Sequence, residues 1–239
     1  MLEWSDQKEY GKGIVLSMAD KKNDNTLLSA QNVHWEKTYA ANHEMFGEDP
    51  SEAAKYAAVL FHAKEKRDIL ELGAGQGRDT LFFAYNGFQV HALDYSYTGL
   101  ATIQDKALAA GLRQRIAIQH HDARQPLPFQ NASLDSCYAH MLFCMALTTP
   151  ELSFLSKEIR RVLTPGGFCV YTVRNTTDPQ YQRGIHRGEE MYEFNGFIVH
   201  FFSREKIHSL AGGYEIFDIT EFAEGELPRK LFRITLIKK

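Results

Sequence analysis

The feature that most constrains this sequence is a glycine-rich turn between an apolar run and a helical pattern. The mostly apolar run 69–72 leads directly into Gly73, Gly75 and Gly77, and a helical pattern follows at 79–86. Glycines at such a junction allow the backbone to turn sharply and let a ligand approach the main chain. The turn therefore predicts a nucleoside-containing cofactor at the carboxyl end of a β-strand.

Strand-like and helix-like segments alternate along most of the chain. Such alternation is typical of parallel strands joined by crossover helices on both faces of one sheet. The sequence therefore predicts an α/β, Rossmann-like, doubly wound fold. The candidate strands of this part are residues 67–72, 88–93, 116–120, 133–141 and 168–173. The candidate helices are residues 52–63, 79–86, 98–110, 151–163 and 203–210.

The end of the chain breaks this rhythm. Two candidate strands, 214–222 and 230–238, follow each other with only residues 223–229 between them. A gap of this length suits a hairpin rather than a crossover helix. We therefore expect the last strand to run antiparallel to its neighbours.

The length of 239 residues and the hydrophobic content of 44% fit one domain with a continuous core. We expect this domain to cover residues 31–239. Residues 1–30, rich in charged and amide side chains, are expected to form a mobile or helical arm. The stretch 175–202 is long, aromatic and charged, and a loop of that length in a compact domain is usually functional. We expect a lid-like insert there, over the active-site end of the sheet.

Composition excludes several classes of partner. The net charge of −3 and the lack of a basic block argue against nucleic-acid binding. The polar N-terminus is unlike a secretory signal, and the longest apolar stretch, 141–147, is too short to span a bilayer. Cys137, Cys144 and Cys169 lie in apolar stretches without a CxxC pair, as reduced core thiols do. We expect a cytoplasmic protein without membrane contact or a metal site, and its oligomeric state stays open.

Three acidic residues stand near the ends of candidate strands. Glu71 precedes Gly73 by two positions and suits a cationic or amine-bearing ligand. Asp94 follows the second strand, where a carboxylate can accept hydrogen bonds from two ribose hydroxyls. Asp122 follows the third strand, where an acid can pair with the exocyclic amine of adenine while Ala123 leaves room for the base. Any one of these acids could simply cap a turn, but the ordered set favours a cofactor site.

The local chemistry separates two classes of cofactor. Dinucleotide sites use the pattern G-x-G-x-x-G, whereas here Gly77 comes one position early and Arg78 occupies the place of the expected glycine. An acid such as Glu71 is also unfavourable beside a pyrophosphate. S-adenosylmethionine (SAM) carries a sulfonium and an amino group and has no phosphate. The residues therefore favour SAM over NAD.

Five stretches of the chain resemble, in order, motifs of the class I SAM-dependent methyltransferases, in the group that includes small-molecule type 11 and tellurite-resistance-like enzymes. The resemblance implies a seven-stranded sheet of order 3-2-1-4-5-7-6 with strand 7 antiparallel. It also implies SAM as the cofactor and S-adenosylhomocysteine (SAH) as its product. The stretches are residues 69–77, 90–96, 122–129, 134–140 and 161–168. The expected cofactor-binding residues are Tyr39, Glu71, Gly73, Ala74, Gly75, Gly77, Asp94, Tyr95, Asp122, Ala123 and His140.

Candidates for acceptor contacts are weaker. Trp35 and Tyr39 are spaced to share one helix face, so they either fasten an N-terminal helix to the core or close over SAM. His140 ends the fourth strand near the expected position of the methyl group. It is our candidate catalytic residue, because it could position the acceptor or take its proton. It could equally line the cofactor pocket through its backbone. The candidate substrate contacts are Trp35, Tyr181, His186 and Tyr192.

The acceptor itself cannot be read from these residues. The charge balance and the single domain favour a small molecule over a macromolecule. Two other functions stay open: a dinucleotide-dependent oxidoreductase, and a non-catalytic SAM-binding regulatory protein. Binding of SAM and of NAD separates the first of these from a methyltransferase, and turnover separates the second.

Overall fold

The computed structural model describes residues 30–225 and 229–239, so the arm expected at 1–30 lies almost wholly outside the described residues. The helices of the described part are α1 (Gln31–Ala41), α2 (Glu52–Ala63), α3 (Arg78–Tyr85), α4 (Tyr97–Ala109), α5 (Thr149–Val162) and α6 (Arg204–Leu210). The strands are β1 (Asp68–Leu72), β2 (Gln89–Asp94), β3 (Ile116–His120), β4 (Leu134–His140), β5 (Leu163–Arg174), β6 (Ile185–His186), β7 (Met191–Phe194), β8 (Phe197–His200), β9 (Tyr214–Glu224) and β10 (Arg229–Lys238). None of these helices is long and apolar enough to cross a membrane.

The main sheet has seven strands in the order β3-β2-β1-β4-β5-β10-β9. Numbered along the chain within this sheet, the order is 3-2-1-4-5-7-6, which confirms the expected topology. Strands β1 to β5 are parallel to one another, and β10 runs antiparallel to both β5 and β9. The hairpin of the last two strands pairs Glu224 with Arg229 at its closed end.

Local sequence signals begin the helices where they were expected. Thr148 accepts a hydrogen bond from the backbone of Glu151, whose carboxylate accepts one from the Thr148 N–H at 2.7 Å. This capping box starts α5 and stabilises it by about 1 kcal/mol. Ser203 likewise caps α6, because its hydroxyl accepts a hydrogen bond from the Lys206 N–H at 3.3 Å.

The core lies on both faces of the sheet because neighbouring strand residues point in opposite directions. In β1, Ile69 packs with Phe83 of α3, whereas the next residue, Leu70, belongs to the cluster that contains Leu155 of α5. Both clusters consist of fully buried side chains, each worth about 1.5–3 kcal/mol of burial. Helices cover both faces of the sheet, so a site can form at the carboxyl ends of β1, β2 and β4.

The insert at 175–202 differs from the long irregular loop that the sequence suggested. It forms a three-stranded antiparallel sheet, β6-β7-β8, and its last residues, Phe201 and Phe202, are fully buried. The β7–β8 connection is Asn195-Gly196, both with positive φ, as a tight hairpin turn requires. Its strands have only two to four residues, too few for their alternation to stand out among the charged side chains.

Candidate active site

A cavity of about 780 Å³ opens at the carboxyl ends of the central strands. This volume is in the range of sites that bind cofactors and small ligands. Besides the glycine turn, the cavity is lined by α1 and the loop after it, by the insert and by the β9–β10 hairpin. The expected site residues that line it are Trp35, Tyr39, Glu71, Gly73, Ala74, Gly75, Asp94, Tyr95 and His140.

The glycines of the turn have backbone angles that residues with a side chain rarely adopt. Gly73, Gly75 and Gly77 have φ values of +73°, +54° and +84°. A Cβ on Gly75 would lie 2.9 Å from the hydroxyl oxygen of Tyr39, which covers the turn. A Cβ on Gly77 would lie 2.7 Å from Ile103, so this glycine permits the close packing of α4. Gly77 is not among the residues that line the cavity, and its role as a cofactor contact stays a prediction.

Asp94 fixes the shape of the turn from the neighbouring strand. Its carboxylate accepts the N–H of Gly75 and the N–H of Ser96, each at 2.8 Å. Burial raises the pKa of Asp94, against the effect of these two hydrogen bonds. Because each carboxylate oxygen can accept a second hydrogen bond, Asp94 can hold the turn and still bind ligand hydroxyls.

Glu71 is the most unusual charged group in the cavity. Its side chain is only 3% exposed, and its Oε2 has no hydrogen-bond partner among the described residues. Burial, together with the charge of Asp79, raises the pKa of Glu71 to about 8. A buried carboxylate without a partner is costly, and a bound cation would relieve that cost.

Aromatic side chains close the cavity from the side of α1. Tyr39 is buried against the glycine turn, and the Trp35 ring lies 5.3 Å from the Tyr39 ring and 4.8 Å from Phe197 of the insert. Gln31 also donates a hydrogen bond to the carbonyl of Gly196 at 2.9 Å. Helix α1 and the β7–β8 hairpin therefore form one cover over the cavity.

Gln76 is a site residue that sequence reasoning missed. Its amide donates to the Asn42 carbonyl at 2.8 Å and accepts the Met45 N–H at 3.2 Å. It is buried and holds the loop after α1 over the glycine turn. Its position inside the glycine motif was the only available signal.

Beyond the turn, His140 lies between two partners. Its Nδ1 is 3.0 Å from the hydroxyl oxygen of Thr172, and its Nε2 is 3.2 Å from a carboxylate oxygen of Glu224. Burial raises the pKa of Glu224, but the hydrogen bond and charge of His140 and the charge of Arg78 outweigh this and hold that pKa below its usual value. Sequence reasoning missed Glu224, because no local pattern links residues so far apart in the chain.

Asp122 and Ala123, the residues expected at the adenine, are not among the residues that line the cavity. The Asp122 carboxylate binds the guanidinium of Arg124 at 2.7 Å and is not among the residues that line the cavity. Burial raises the pKa of Asp122, but the hydrogen bonds from Arg124 lower it further than burial raises it. Ala123 borders a small recess beside Gly73 and Asp94. The roles of Asp122 and Ala123 stay predictions.

The structure does not bring Tyr181, His186 or Tyr192 into the cavity lining. The Tyr181 hydroxyl donates to Glu190 at 2.6 Å, and the rings of Tyr181 and His186 lie 5.8 and 5.0 Å from that of Tyr192. Their role as substrate contacts stays a prediction. The insert lines the cavity with other side chains, which are Gln180, Phe194, Asn195, Phe197 and Val199.

Together the sheet order and the glycine turn define a Rossmann-like fold with a candidate ligand site at the carboxyl ends of its strands. Residues 69–167 match the family described as a methyltransferase domain. This segment runs from β1 into β5 and holds Glu71, the glycines, Asp94 and His140. Residues 69–167 thus match a methyltransferase domain, in agreement with the resemblance that the motifs indicated.

Known proteins with similar sequence or fold agree with this. A sterol 4-C-methyltransferase of Caenorhabditis elegans is 30% identical over 139 residues, which are 55% of this chain but only 40% of that relative. A SAM-dependent methyltransferase of Methanosarcina mazei has a TM-score of 0.66 at 22% identity, covering 75% of this chain and 96% of that one. The 1,6-didemethyltoxoflavin-N1-methyltransferase of Burkholderia thailandensis, solved with 1,6-didemethyltoxoflavin and SAH, has a TM-score of 0.69 at 16% identity, covering 96% and 93%. The two solved structures show the fold alone.

Proposed function

We propose that this protein transfers a methyl group from SAM to a small-molecule acceptor and releases SAH. The observation that carries the proposal is the buried carboxylate of Glu71, whose Oε2 has no hydrogen-bond partner among the described residues. It lies beside the glycine turn in a cavity that continues to His140. SAM has the amino group and the sulfonium that such a site favours, and it lacks the phosphates that the site would repel.

The chain's own residues suit each part of that cofactor. Glu71 would bind the amino group, and Asp94 would accept hydrogen bonds from the ribose hydroxyls. Tyr39, buried over Gly75, would cover the methionine part with its aromatic face toward the positive charge. Asp122 would serve the adenine while it stays bound to Arg124.

Methyl transfer requires little further chemistry from the protein. When bound, SAM supplies the methyl group on a sulfur that leaves readily. The chain must align the acceptor, exclude water and accommodate the change in charge. Trp35 and Phe197 suit the exclusion of water because their contact closes the cavity between α1 and the insert. The insert at 175–202 would thus act as part of a lid.

Three observations support a small acceptor. The cavity of about 780 Å³ has room for SAM and little more than one further small molecule. The net charge of −3 disfavours a nucleic-acid substrate. The proteins similar in sequence or fold include enzymes named for a sterol and for a toxoflavin precursor.

The three cysteines are free and buried, in keeping with a cytoplasmic location.

Isothermal titration calorimetry with SAM, SAH and NAD tests the proposal. We expect SAM and SAH to bind and NAD not to bind. Binding of NAD in preference to SAM would point instead to a dinucleotide-dependent oxidoreductase. Binding of SAM without turnover on any thiol, phenol, amine or oxyanion would point to a regulatory SAM-binding protein.

A further inference from the structure

The cavity wall beyond the glycine turn carries a row of three hydrogen-bonded side chains. The Thr172 hydroxyl oxygen accepts the N–H of Met141 at 3.0 Å and lies 3.0 Å from His140 Nδ1. Thr172 is fully buried, so its hydroxyl proton needs an acceptor, and Nδ1 is the acceptor within reach. The ring proton of neutral His140 then lies on Nε2, which donates to Glu224 at 3.2 Å.

This arrangement leaves neutral His140 without a lone pair for the methyl acceptor. One of its ring nitrogens accepts a hydrogen bond and the other donates one. Glu224 also lines the cavity, and among the described residues its Oε1 has no hydrogen-bond partner. The low pKa of Glu224 keeps it ionised at neutral pH. The group that faces the acceptor is therefore a carboxylate held by a histidine.

Two guanidinium groups beside this wall, those of Arg78 and Arg174, are paired with carboxylates. Arg78 pairs with Asp79 at 3.1 Å. Arg174 forms a two-pronged ion pair with Asp178, and both of these side chains are buried. Each pair has no net charge. While His140 is neutral, the uncompensated charge of the wall is thus the negative charge of Glu224.

The other charged groups of the lining lie elsewhere. Arg229 faces Glu224 across the hairpin but is exposed, so water and salt screen its charge. Glu44 and Lys106 come from the loop after α1 and from α4, which pack against the glycine turn. None of these groups cancels the charge of Glu224 inside the cavity.

We propose that Glu224 contacts the methyl acceptor and that the acceptor is a nitrogen nucleophile, either an amine or a ring nitrogen. This inference rests on the proposed methyl transfer. His140 is then a positioning residue, which orients Glu224 through its Nε2–H, and Thr172 fixes the ring.

The charge balance of the reaction explains this preference. An amine that binds in its ammonium form first releases a proton to solvent. The nitrogen lone pair then forms the new N–C bond while the S–C bond breaks and its electron pair remains on sulfur. The positive charge therefore moves from sulfur to nitrogen, where Glu224 stabilises it; any excess N–H proton then passes to solvent. A thiolate, phenolate or carboxylate would place a second negative charge beside Glu224 and would be repelled.

Two titrations of the SAH-loaded protein test this with simple probes. Benzylamine, a cation at neutral pH, and benzoate, an anion, share one ring and differ in charge. We expect benzylamine to bind at least about tenfold more tightly than benzoate. Glu224→Gln keeps the shape and the hydrogen bond from His140 and removes the charge, so this preference should disappear. Glu221→Gln removes the same charge from the exposed part of the same strand and should retain the preference.

The outcomes separate the two proposals. If SAH does not bind to the wild-type protein, the proposed function itself is wrong. If SAH binds but benzoate binds as well as benzylamine, or neither probe binds, the nitrogen acceptor is wrong. The role of Glu224 is also wrong if Glu224→Gln binds SAH normally and still prefers benzylamine. In turnover, amines should be methylated and thiols and oxyanions should not.

Discussion

Replacing Glu71 with glutamine removes a carboxylate whose pKa is raised to about 8 by burial and by the nearby Asp79. With that pKa, about nine-tenths of the free protein carries a proton on Glu71 at pH 7, and nearly all of it does at pH 6. An ammonium group bound beside Glu71 favours the ionised carboxylate. SAM should therefore expel a proton when it binds.

The size of this effect follows from the same pKa. Between pH 6 and 7, binding of SAM should release about one proton, and its affinity should rise by nearly tenfold for that one pH unit. The range stops at pH 7 because an α-amino group such as that of SAM loses its own proton near pH 8.

Calorimetry in two buffers of different ionisation enthalpy measures the released protons directly. The wild-type protein should release about 0.9 proton at pH 7, and Glu71→Gln should release close to none and bind SAM more weakly. Glu221→Gln, which removes an exposed carboxylate, is the matched control and should behave as the wild type does. The reasoning is refuted if the wild-type protein releases no proton, or if Glu71→Gln releases as many.

The raised pKa has a second consequence, for the protein without SAM. The unfolded chain loses the Glu71 proton at a lower pH than the folded chain does. This group's contribution to the free energy of unfolding is therefore fully present below the pKa of the unfolded state, and it is lost as the pH rises through the pKa of the folded state. A rise from 4.5 to about 8 corresponds to a loss of roughly 5 kcal/mol at most. Glu71→Gln should therefore melt at a higher temperature than the wild type at pH 8, with the difference shrinking toward pH 4.5.

Three further substitutions test other parts of the site. Gly75→Val should abolish SAM binding, because its side chain would meet the Tyr39 hydroxyl, whereas Gly111→Val shares the positive φ without a neighbour within 4 Å and should still bind SAM in the same titration. Asp94→Ala should weaken SAM binding by about tenfold to a thousandfold while circular dichroism stays unchanged; an unaltered Kd would leave Asp94 as a support of the turn only. Phe197→Ala opens the contact with Trp35 and should lower kcat on the acceptor by about tenfold with little change in the Kd of SAM; unchanged kcat would remove the insert from the lid.

The sheet and the residues that gather around the glycine turn could be predicted because their signals are local. Glycines that need a positive φ, a strand that ends in Asp94, and helices with side-chain caps each lie within a few neighbouring residues. The insert was misjudged although Asn195-Gly196 marks a hairpin turn, because its strands are very short and its charges suggested a loop.

The acceptor end could not be predicted in the same way. Glu224 reaches His140 only because β9 and β10 add to the far edge of the sheet and bring the end of β9 to the cavity. The neutralisation of the Arg174 charge likewise depends on its ion pair with Asp178 in the fold. Such contacts arise from tertiary packing, and no residue spacing in the sequence predicts them.

The most direct test of the central claim follows the methyl group itself. The protein is incubated with SAM that carries a deuterated methyl group and with panels of amines, thiols, phenols and oxyanions, and the products are identified by mass spectrometry. We expect one labelled methyl group in an acceptor for each SAH formed, and no product from Gly75→Val. Bound SAM that is not consumed with any of these acceptors, or label that reaches no small molecule, would contradict the account.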